Sequence, residues 1–184
     1  MKKGNNKKEA ILTTATKLFQ LQGFHATGLN QIIDESGAPK GSLYYHFPNG
    51  KEEIALEAIK RMRELVVEKM KADLYSGETP VAAFQQHVNS IANEFDQMGC
   101  SALEGLQISL IASETALTHE TLRLACDATF TDWQALYTNR LEDFGFAEPL
   151  AKELGITLNA MIEGGCMLAL TNKSSNPCVA FRIK

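Results

Sequence analysis

The chain has 184 residues, of which 45% are hydrophobic and 22% charged, enough for one compact fold or two small ones. Five prolines and 13 glycines argue against disorder and exclude collagen-like repeats. No apolar run reaches the roughly 18 residues that a membrane span needs, and the first ten residues lack the apolar core of a signal peptide. We therefore expect a soluble, cytoplasmic protein without a membrane partner.

The net charge of −4 is unevenly distributed. Residues 1–51 contain seven lysines and three acidic residues, a net charge of +4, and the remainder carries −8. A basic first quarter indicates a polyanionic partner such as DNA. Four of the seven lysines lie within the first eight residues, however, and a solvated basic tail explains those equally well.

Helical periodicity recurs along the chain and sustained alternation is absent, which predicts an all-α fold. A first helix covers about residues 7–22 and ends at Gly23. Thr27 is predicted to be the N-cap of a short second helix that stops at Ser36-Gly37.

The third helix opens at Pro39-Lys40 and runs to about Phe47, with Leu43 and Phe47 on its inner face. After the turn at residues 48–50, a long helix is predicted from Lys51 to about Leu74. The sequence then breaks at residues 76–80, and further helices are predicted over about 80–98, 101–114, 118–144 and 147–172.

Residues 27–47 have the pattern of a helix-turn-helix: two short helices joined by a turn that contains glycine. In such a unit the second helix enters the major groove of DNA. The outward side of this helix carries hydrogen-bond donors, a glycine and aromatic rings, which are Lys40, Gly41, Ser42, Tyr44, Tyr45 and His46. These groups can contact base edges and phosphates, although one of the two tyrosines could instead pack inside the domain.

Lys51 is a second indication of DNA contact. A cation at a helix N-terminus opposes the helix dipole, which favours the neighbouring Glu52 and Glu53. A phosphate bound at this helix end would remove the conflict.

These segments resemble the DNA-binding domain of TetR-family transcriptional regulators over residues 7–60. The resemblance rests on Gly23-Phe24, Thr27-Gly28-Leu29 and the run Gly37–Phe47, followed by Lys51-Glu52-Glu53. It implies a homodimer that binds a palindromic DNA operator and represses a gene until a small-molecule inducer binds the C-terminal domain. It also implies that Thr27 and Lys51 contact phosphates, and that the outward residues of the third helix face bases or the DNA backbone.

The same resemblance divides the chain into an N-terminal DNA-binding domain, residues 1–50, and a C-terminal ligand-binding and dimerisation domain, residues 51–184. Residues 80–172 are similar, more distantly, to the LmrA/YxaF-like branch. Members of that branch end in a further amphipathic helix, for which the segment after residue 173 is expected to be too short.

The last long helix contains the run Met161–Met167 with glycines at 164 and 165. Each glycine costs about 1 kcal/mol relative to alanine, so we expect close packing of a second helix to compensate, as in a two-fold interface. The alternative is that the helix breaks at this point.

A ligand cavity in the C-terminal domain would have aromatic and thioether walls. Seven side chains are candidates, each of which could also be an ordinary core residue: Phe84, Phe95, Met98, Phe130, Trp133, Tyr137 and Met161.

A different mechanism is thiol-based redox sensing through Cys100, which lies near a predicted helix start. Its alternative is a small buried hydrophobe. The four cysteines include no CxxC pair, no histidine pair has metal-ligand spacing, and no catalytic or nucleotide-binding motif occurs. We therefore expect neither an enzyme nor a cofactor or metal site, but a DNA-binding repressor.

Overall fold

The computed structural model describes residues 2–98 and 106–179, and within these ranges it contains helices and no strand. The helices are α1 Lys2–Ala26, α2 Leu29–Ser36, α3 Lys40–His46, α4 Lys51–Leu74, α5 Pro80–Met98, α6 Leu106–Thr115, α7 Glu120–Asp143, α8 Glu148–Asn172 and α9 Asn176–Val179. The predicted all-α class is confirmed.

The chain divides into two compact units. The first unit comprises Met1–Met62 and Gln107–Cys126, and the second comprises Arg63–Leu106 and Asp127–Lys184. Helices α4 and α7 each contribute residues to both units. From Gln107 onwards, α6 therefore belongs to the same unit as the helix-turn-helix, although it lies some 60 residues further along the chain. The predicted boundary at residue 50 divides the chain by function and not by contacts, and it stays a prediction.

The core of the first unit follows from the periodicity of its helices. In α1 the residues Ile11, Ala15 and Phe19 recur every fourth position and are all fully buried. The backbone kinks at Gly23 (φ 81°, ψ 174°), which is the predicted stop. Glycine adopts this positive φ without the strain that a side chain would introduce.

The start of α2 corrects one prediction. The N-cap is Gly28, which makes no side-chain capping bond, and not Thr27. The Thr27 side chain is fully buried and its hydroxyl donates a 2.7 Å hydrogen bond back to the carbonyl oxygen of Gly23. Thr27 therefore fixes the turn that precedes the helix. The predicted end of α2 is confirmed, because Gly37 takes the left-handed conformation (φ 64°).

In the second unit, Arg140 of α7 caps the C-terminal end of α4. The guanidinium donates hydrogen bonds to the carbonyl oxygens of Leu74 (2.9 Å) and Gly77 (2.7 Å). It also lies over the rings of Tyr75 and Phe144, 4.7 and 3.9 Å from their centroids. A cation in this position satisfies carbonyls that have no partner within the helix.

A buried polar chain connects α4, α5 and α7 in the same unit. The Nδ1 atom of His87 lies 3.0 Å from Asp73 Oδ2, and its Nε2 lies 3.0 Å from the Tyr137 hydroxyl. Burial raises the pKa of Tyr137 well above its ordinary value. The three side chains therefore satisfy one another in a setting where an unpaired polar group would be costly.

Helices α7 and α8 lie close together at Gly155. A Cβ atom there would lie 2.5 Å from Thr138 Oγ1 and 2.9 Å from the carbonyl oxygen of Gln134, so only glycine allows this contact. The alternative of a helix break at the two later glycines is wrong, because α8 continues without interruption from Glu148 to Asn172.

Helix α8 is also long and apolar enough to cross a membrane by length and composition, with a mean hydropathy of 1.4 over 18 residues, 28% of which are buried. It departs in this respect from the expectation that no segment would meet such a criterion. Long apolar helices in water-soluble proteins meet it too.

Candidate nucleic-acid interface

Helix α3 is anchored on one side and exposed on the other. Leu43 and Phe47 are fully buried, as their four-residue spacing predicts. On the opposite side Tyr44 and Tyr45 are 45% and 81% exposed, so neither tyrosine belongs to the core. Their hydroxyl groups are thus available to a ligand outside the domain.

The other predicted contact residues of α3 are accessible to different degrees. Lys40 and Gly41 are exposed, and Ser42 and His46 are half-buried. A Cβ atom at Gly41 would meet nothing within 4 Å, so another molecule can approach the backbone closely at this point. The exposed residues of α3 among the predicted contacts are therefore Lys40, Gly41, Tyr44 and Tyr45, whereas Thr27 is fully buried.

Lys51 has a partner that the sequence did not suggest. Its Nζ donates a 3.0 Å hydrogen bond to the carbonyl oxygen of Phe24 and lies 4.4 Å from the centroid of the Phe24 ring. Partial burial lowers the pKa of the Lys51 ammonium, and the Glu114 carboxylate opposes part of that shift. The ammonium at the start of α4 thus has a hydrogen-bond acceptor within the first unit, with or without a phosphate, although burial disfavours its charged form.

Sequence reasoning also missed Glu114, which lies 90 positions from the turn that it holds. Its Oε2 accepts hydrogen bonds from the backbone N–H groups of Phe24 (2.5 Å) and His25 (3.0 Å). A side chain at Gly23 would overlap this carboxylate. No local signal marks Glu114, because only the packing of α6 brings it to the turn between α1 and α2.

Two histidines complete this contact. The Nε2 of His25 lies 3.0 Å from the backbone oxygen of Glu114, and the His119 ring packs edge-on against Phe24 with 5.2 Å between centroids. His119 Nδ1 also lies 3.9 Å from Glu52 Oε2. The start of α4, the end of α1 and the segment around α6 are thereby joined in one polar and aromatic cluster.

The ligand-binding candidates are separated by the structure. Phe84 and Met161 line one cleft between α5 and α8, which has a volume of about 180 Å³. Phe95 lies in a different buried cluster with Cys166 and Cys178. The side chain of Met98 and all of Cys100 lie outside the described residues.

The remaining candidates lie on α7. Phe130 and Trp133 form an edge-to-face pair with 5.6 Å between centroids, and Tyr137 belongs to the polar chain with His87. Trp133 is buried, and in the described part of the chain its indole N–H has no hydrogen-bond partner.

Comparison with known proteins identifies both halves of the chain. The family model of the bacterial regulatory proteins, tetR family, matches residues 11–58. The model named transcriptional regulator LmrA/YxaF-like, C-terminal domain, matches residues 80–181.

Whole-chain relatives agree. The uncharacterized HTH-type transcriptional regulator YxaF of Bacillus subtilis is 49% identical over 92% of this chain and 88% of its own length. The HTH-type transcriptional regulator LmrA of the same organism is 46% identical over 92% and 89%. The reduced form of Escherichia coli NemR, at 23% identity, has the same fold, with a TM-score of 0.82 over 95% of this chain and 92% of its own.

These relatives are regulators of transcription and not enzymes, and they do not favour the redox mechanism over DNA binding. With an all-α fold, an outward-facing α3 and a matching model for each half, the chain belongs to the TetR family of DNA-binding transcriptional regulators, with a C-terminal domain of the LmrA/YxaF-like class.

Proposed function

We propose that this protein is a homodimeric cytoplasmic repressor that binds a palindromic operator and is released by a small hydrophobic ligand. In this proposal residues 1–50 bind DNA, and residues 51–184 bind the ligand and dimerise. The observation that carries it is the exposed face of α3, held from behind by the buried Leu43 and Phe47.

DNA recognition is divided between two kinds of contact. Lys40, Ser42 and the two tyrosines reach base edges or nearby phosphates, and Gly41 lets the backbone approach the groove. His46 contacts the DNA backbone. Lys51 adds a phosphate contact with the ammonium protons that Phe24 does not use. Thr27 is the weakest member of the set, because it is fully buried and its hydroxyl proton is already donated to Gly23.

Dimerisation uses the outer face of α8. Ile156, Ala160, Gly164 and Leu168 recur every fourth residue and are all exposed. A Cβ atom at Gly164 would meet nothing within 4 Å of the same chain, which leaves room for a partner helix. Small residues between larger apolar ones allow two helices to approach closely, and this supports an isologous two-fold interface.

The dimer matters because an operator has two half-sites. The recognition helices of a dimer enter major grooves one helical turn apart, about 34 Å or a multiple of it. A ligand that binds only the dimer conformation with a different spacing lowers operator affinity, typically by about 1–3 kcal/mol.

A titration of the purified protein on the DNA upstream of its own coding sequence tests the proposal. At about 50 and 200 mM salt we expect saturable binding that resists competitor DNA and weakens steeply with salt, since lysines displace counterions from phosphates. Binding that is equally weak on every sequence would contradict it.

Variants of α3 make the test specific. Lys40→Ala and Ser42→Ala are expected to change which operator sequences are preferred, since each removes a group that can read base edges. Lys71→Ala is the matched control, because it removes the same charge from a half-exposed side chain on α4, outside the helix-turn-helix and the proposed dimer face. A uniform loss of affinity on all sequences would limit Lys40 and Ser42 to positioning.

A further inference from the structure

We propose that Cys166 of α8 and Cys178 of α9 form a reversible intramolecular disulfide when a hydroperoxide oxidises the protein, and that this bond fastens α9 to α8. In the structure both thiols are free, and the two residues are buried, with 6% and 5% of their surface exposed. Both lie in the second unit, so the proposal does not depend on the DNA interface. It also differs from the mechanism considered for Cys100, because it concerns the stability of one segment and not DNA binding.

The packing of α9 against α5 and α8 brings the two cysteines together. They belong to one buried cluster with Ala92 and Phe95 of α5 and Ala169 of α8. Both cysteines also line the same void, which measures about 10 Å³. This volume is at the lower limit for a single water molecule, so the two thiols are close neighbours in a tightly packed region.

The turn between α8 and α9 holds this arrangement in place. The Ser174 N–H donates a 3.2 Å hydrogen bond to the carbonyl oxygen of Ala169, near the end of α8. The Ser175 hydroxyl donates a 2.9 Å hydrogen bond to Asp96 Oδ2 on α5. Because α9 is held at both neighbouring helices, a bond between the two sulfur atoms joins elements that are already in contact.

The two thiols differ in acidity. Cys178 accepts a hydrogen bond from the Cys166 thiol, and this bond lowers the pKa of Cys178, although burial and the Asp96 carboxylate oppose part of the shift. The same hydrogen bond, together with burial, raises the pKa of Cys166. A thiolate therefore forms more readily on Cys178. This makes Cys178 the nucleophile and leaves Cys166 as the thiol that completes the disulfide.

Hydrogen peroxide supplies the oxidising equivalents in two steps. The Cys178 thiolate attacks one peroxide oxygen, so that an S–O bond forms, the O–O bond breaks, and the leaving hydroxide takes up the proton that the thiol lost. The Cys166 sulfur then attacks the sulfenic acid sulfur, and the hydroxyl leaves as water with the Cys166 proton. Two thiols and one peroxide thus give one disulfide and two waters. A dithiol such as dithiothreitol reverses the oxidation by exchange.

Access to the buried pair comes from α9 itself. A helix of four residues has few hydrogen bonds and opens at a lower free energy than the long helices of the core. Opening exposes Cys178 to peroxide, and closing returns its sulfur to Cys166, so the disulfide traps α9 in its closed position. The bond closes a loop of about 12 residues, and such a cross-link stabilises a protein by restricting the unfolded chain.

Peptide mapping of the full-length protein tests the pairing. The folded protein is treated with hydrogen peroxide, alkylated with iodoacetamide in urea and cut with trypsin, which cleaves after Lys173 and so separates the two cysteines. We expect peptides 153–173 and 174–182 to be linked to each other within one chain, and dithiothreitol to release them. Cys126, in peptide 124–140, should remain a thiol, since burial raises its pKa to about 11.

Urea unfolding of the same samples measures the effect on stability. Oxidation is expected to raise the unfolding midpoint by at least about 0.5 M, and dithiothreitol should restore the original value. In Cys178→Ala we expect no linked peptides and no shift of the midpoint on oxidation, whereas the matched control Cys126→Ala keeps both responses. Each protein is compared with its own reduced form, so a variant of lower stability still gives a valid result.

Three results would overturn the proposal. The first is that peptides 153–173 and 174–182 stay unlinked after oxidation of the folded protein. The second is a link from either peptide to a different cysteine or to a second chain, which non-reducing gel electrophoresis detects. The third is a linked protein whose urea midpoint equals that of the reduced form, because the disulfide would then not fasten α9.

Discussion

Glu114 connects α6 to the turn in front of the helix-turn-helix through a single carboxylate. Its Oε2 accepts hydrogen bonds from the backbone N–H groups of the two residues that follow the kink at Gly23. The same carboxylate lies close enough to Lys51 to oppose the fall in the pKa of that ammonium. Hydrogen bonds to a charged acceptor are about twice as strong as neutral ones, so this contact contributes to the orientation of α2 and α3.

Glu114→Gln is expected to destabilise the protein by about 1–3 kcal/mol and to weaken operator binding, because the neutral amide oxygen accepts weaker hydrogen bonds from Phe24 and His25 than the carboxylate does, and the negative charge near Lys51 is lost. Urea unfolding followed by circular dichroism measures the first effect, and fluorescence anisotropy on labelled operator DNA measures the second. Glu64→Gln, on an exposed position of α4, is the control and should change neither. Unchanged operator affinity in Glu114→Gln would show that the turn does not depend on this residue for DNA binding.

The residues that sequence analysis located and those that it missed differ in the range of their contacts. Leu43 and Phe47 were predictable because their spacing within one helix determines which side is buried. The partner of Lys51 was not, because the Phe24 carbonyl becomes available only when α1 ends against α4. Thr27 was predicted to be the N-cap of α2 from its residue type. In the structure the N-cap is Gly28, and the Thr27 hydroxyl donates its hydrogen bond to the carbonyl oxygen of Gly23.

At the scale of the element, helix bounds followed from periodicity and breakers. Helix α4 has its predicted bounds of Lys51 and Leu74, since a turn with Gly50 precedes it and Ser76-Gly77 follows. The pairing of helices could not be obtained in the same way. The close contact at Gly155 depends on Thr138 and Gln134 of another helix, whereas the glycines that drew attention in the sequence, 164 and 165, do not interrupt α8.

Arg140 gives the element-scale prediction, because one side chain closes the C-terminal end of α4. Arg140→Met removes two hydrogen bonds to carbonyl oxygens and two contacts with aromatic rings, while keeping an apolar stem of similar length. We expect a loss of about 1–3 kcal/mol in the free energy of unfolding in urea. Lys152→Met, which removes a cation that is 70% exposed, should cost less than about 0.5 kcal/mol. Equal urea midpoints for the two variants would mean that water hydrogen-bonds to the carbonyl oxygens at the end of α4 as well as Arg140 does.

At the scale of the whole molecule, the outer face of α8 is apolar and exposed, and contacts within a single chain do not explain this exposure. Ile156 and Leu168 are 53% and 54% exposed, and only 28% of the most apolar part of the helix is buried. An exposed apolar stripe of this length marks an interaction site in water-soluble proteins. In the proposed homodimer a second copy of the chain would cover this face, with the small residues at 160 and 164 at the two-fold contact.

Gly164→Arg tests this interface and, through it, the whole-molecule proposal. A guanidinium at the centre of the stripe would be desolvated against its counterpart in the partner, so the dimer should dissociate to monomers in sedimentation equilibrium at micromolar concentration. The open space around Gly164 lets the monomer fold normally, and the same urea midpoint per chain would confirm that. Operator affinity should fall to the level of non-specific DNA, because one recognition helix then reads only one half-site. Leu117→Arg adds the same charge at a position that is 99% exposed and should stay dimeric. If Gly164→Arg stays dimeric with full operator affinity, the two-fold contact lies on another surface and the exposed face of α8 has a different partner.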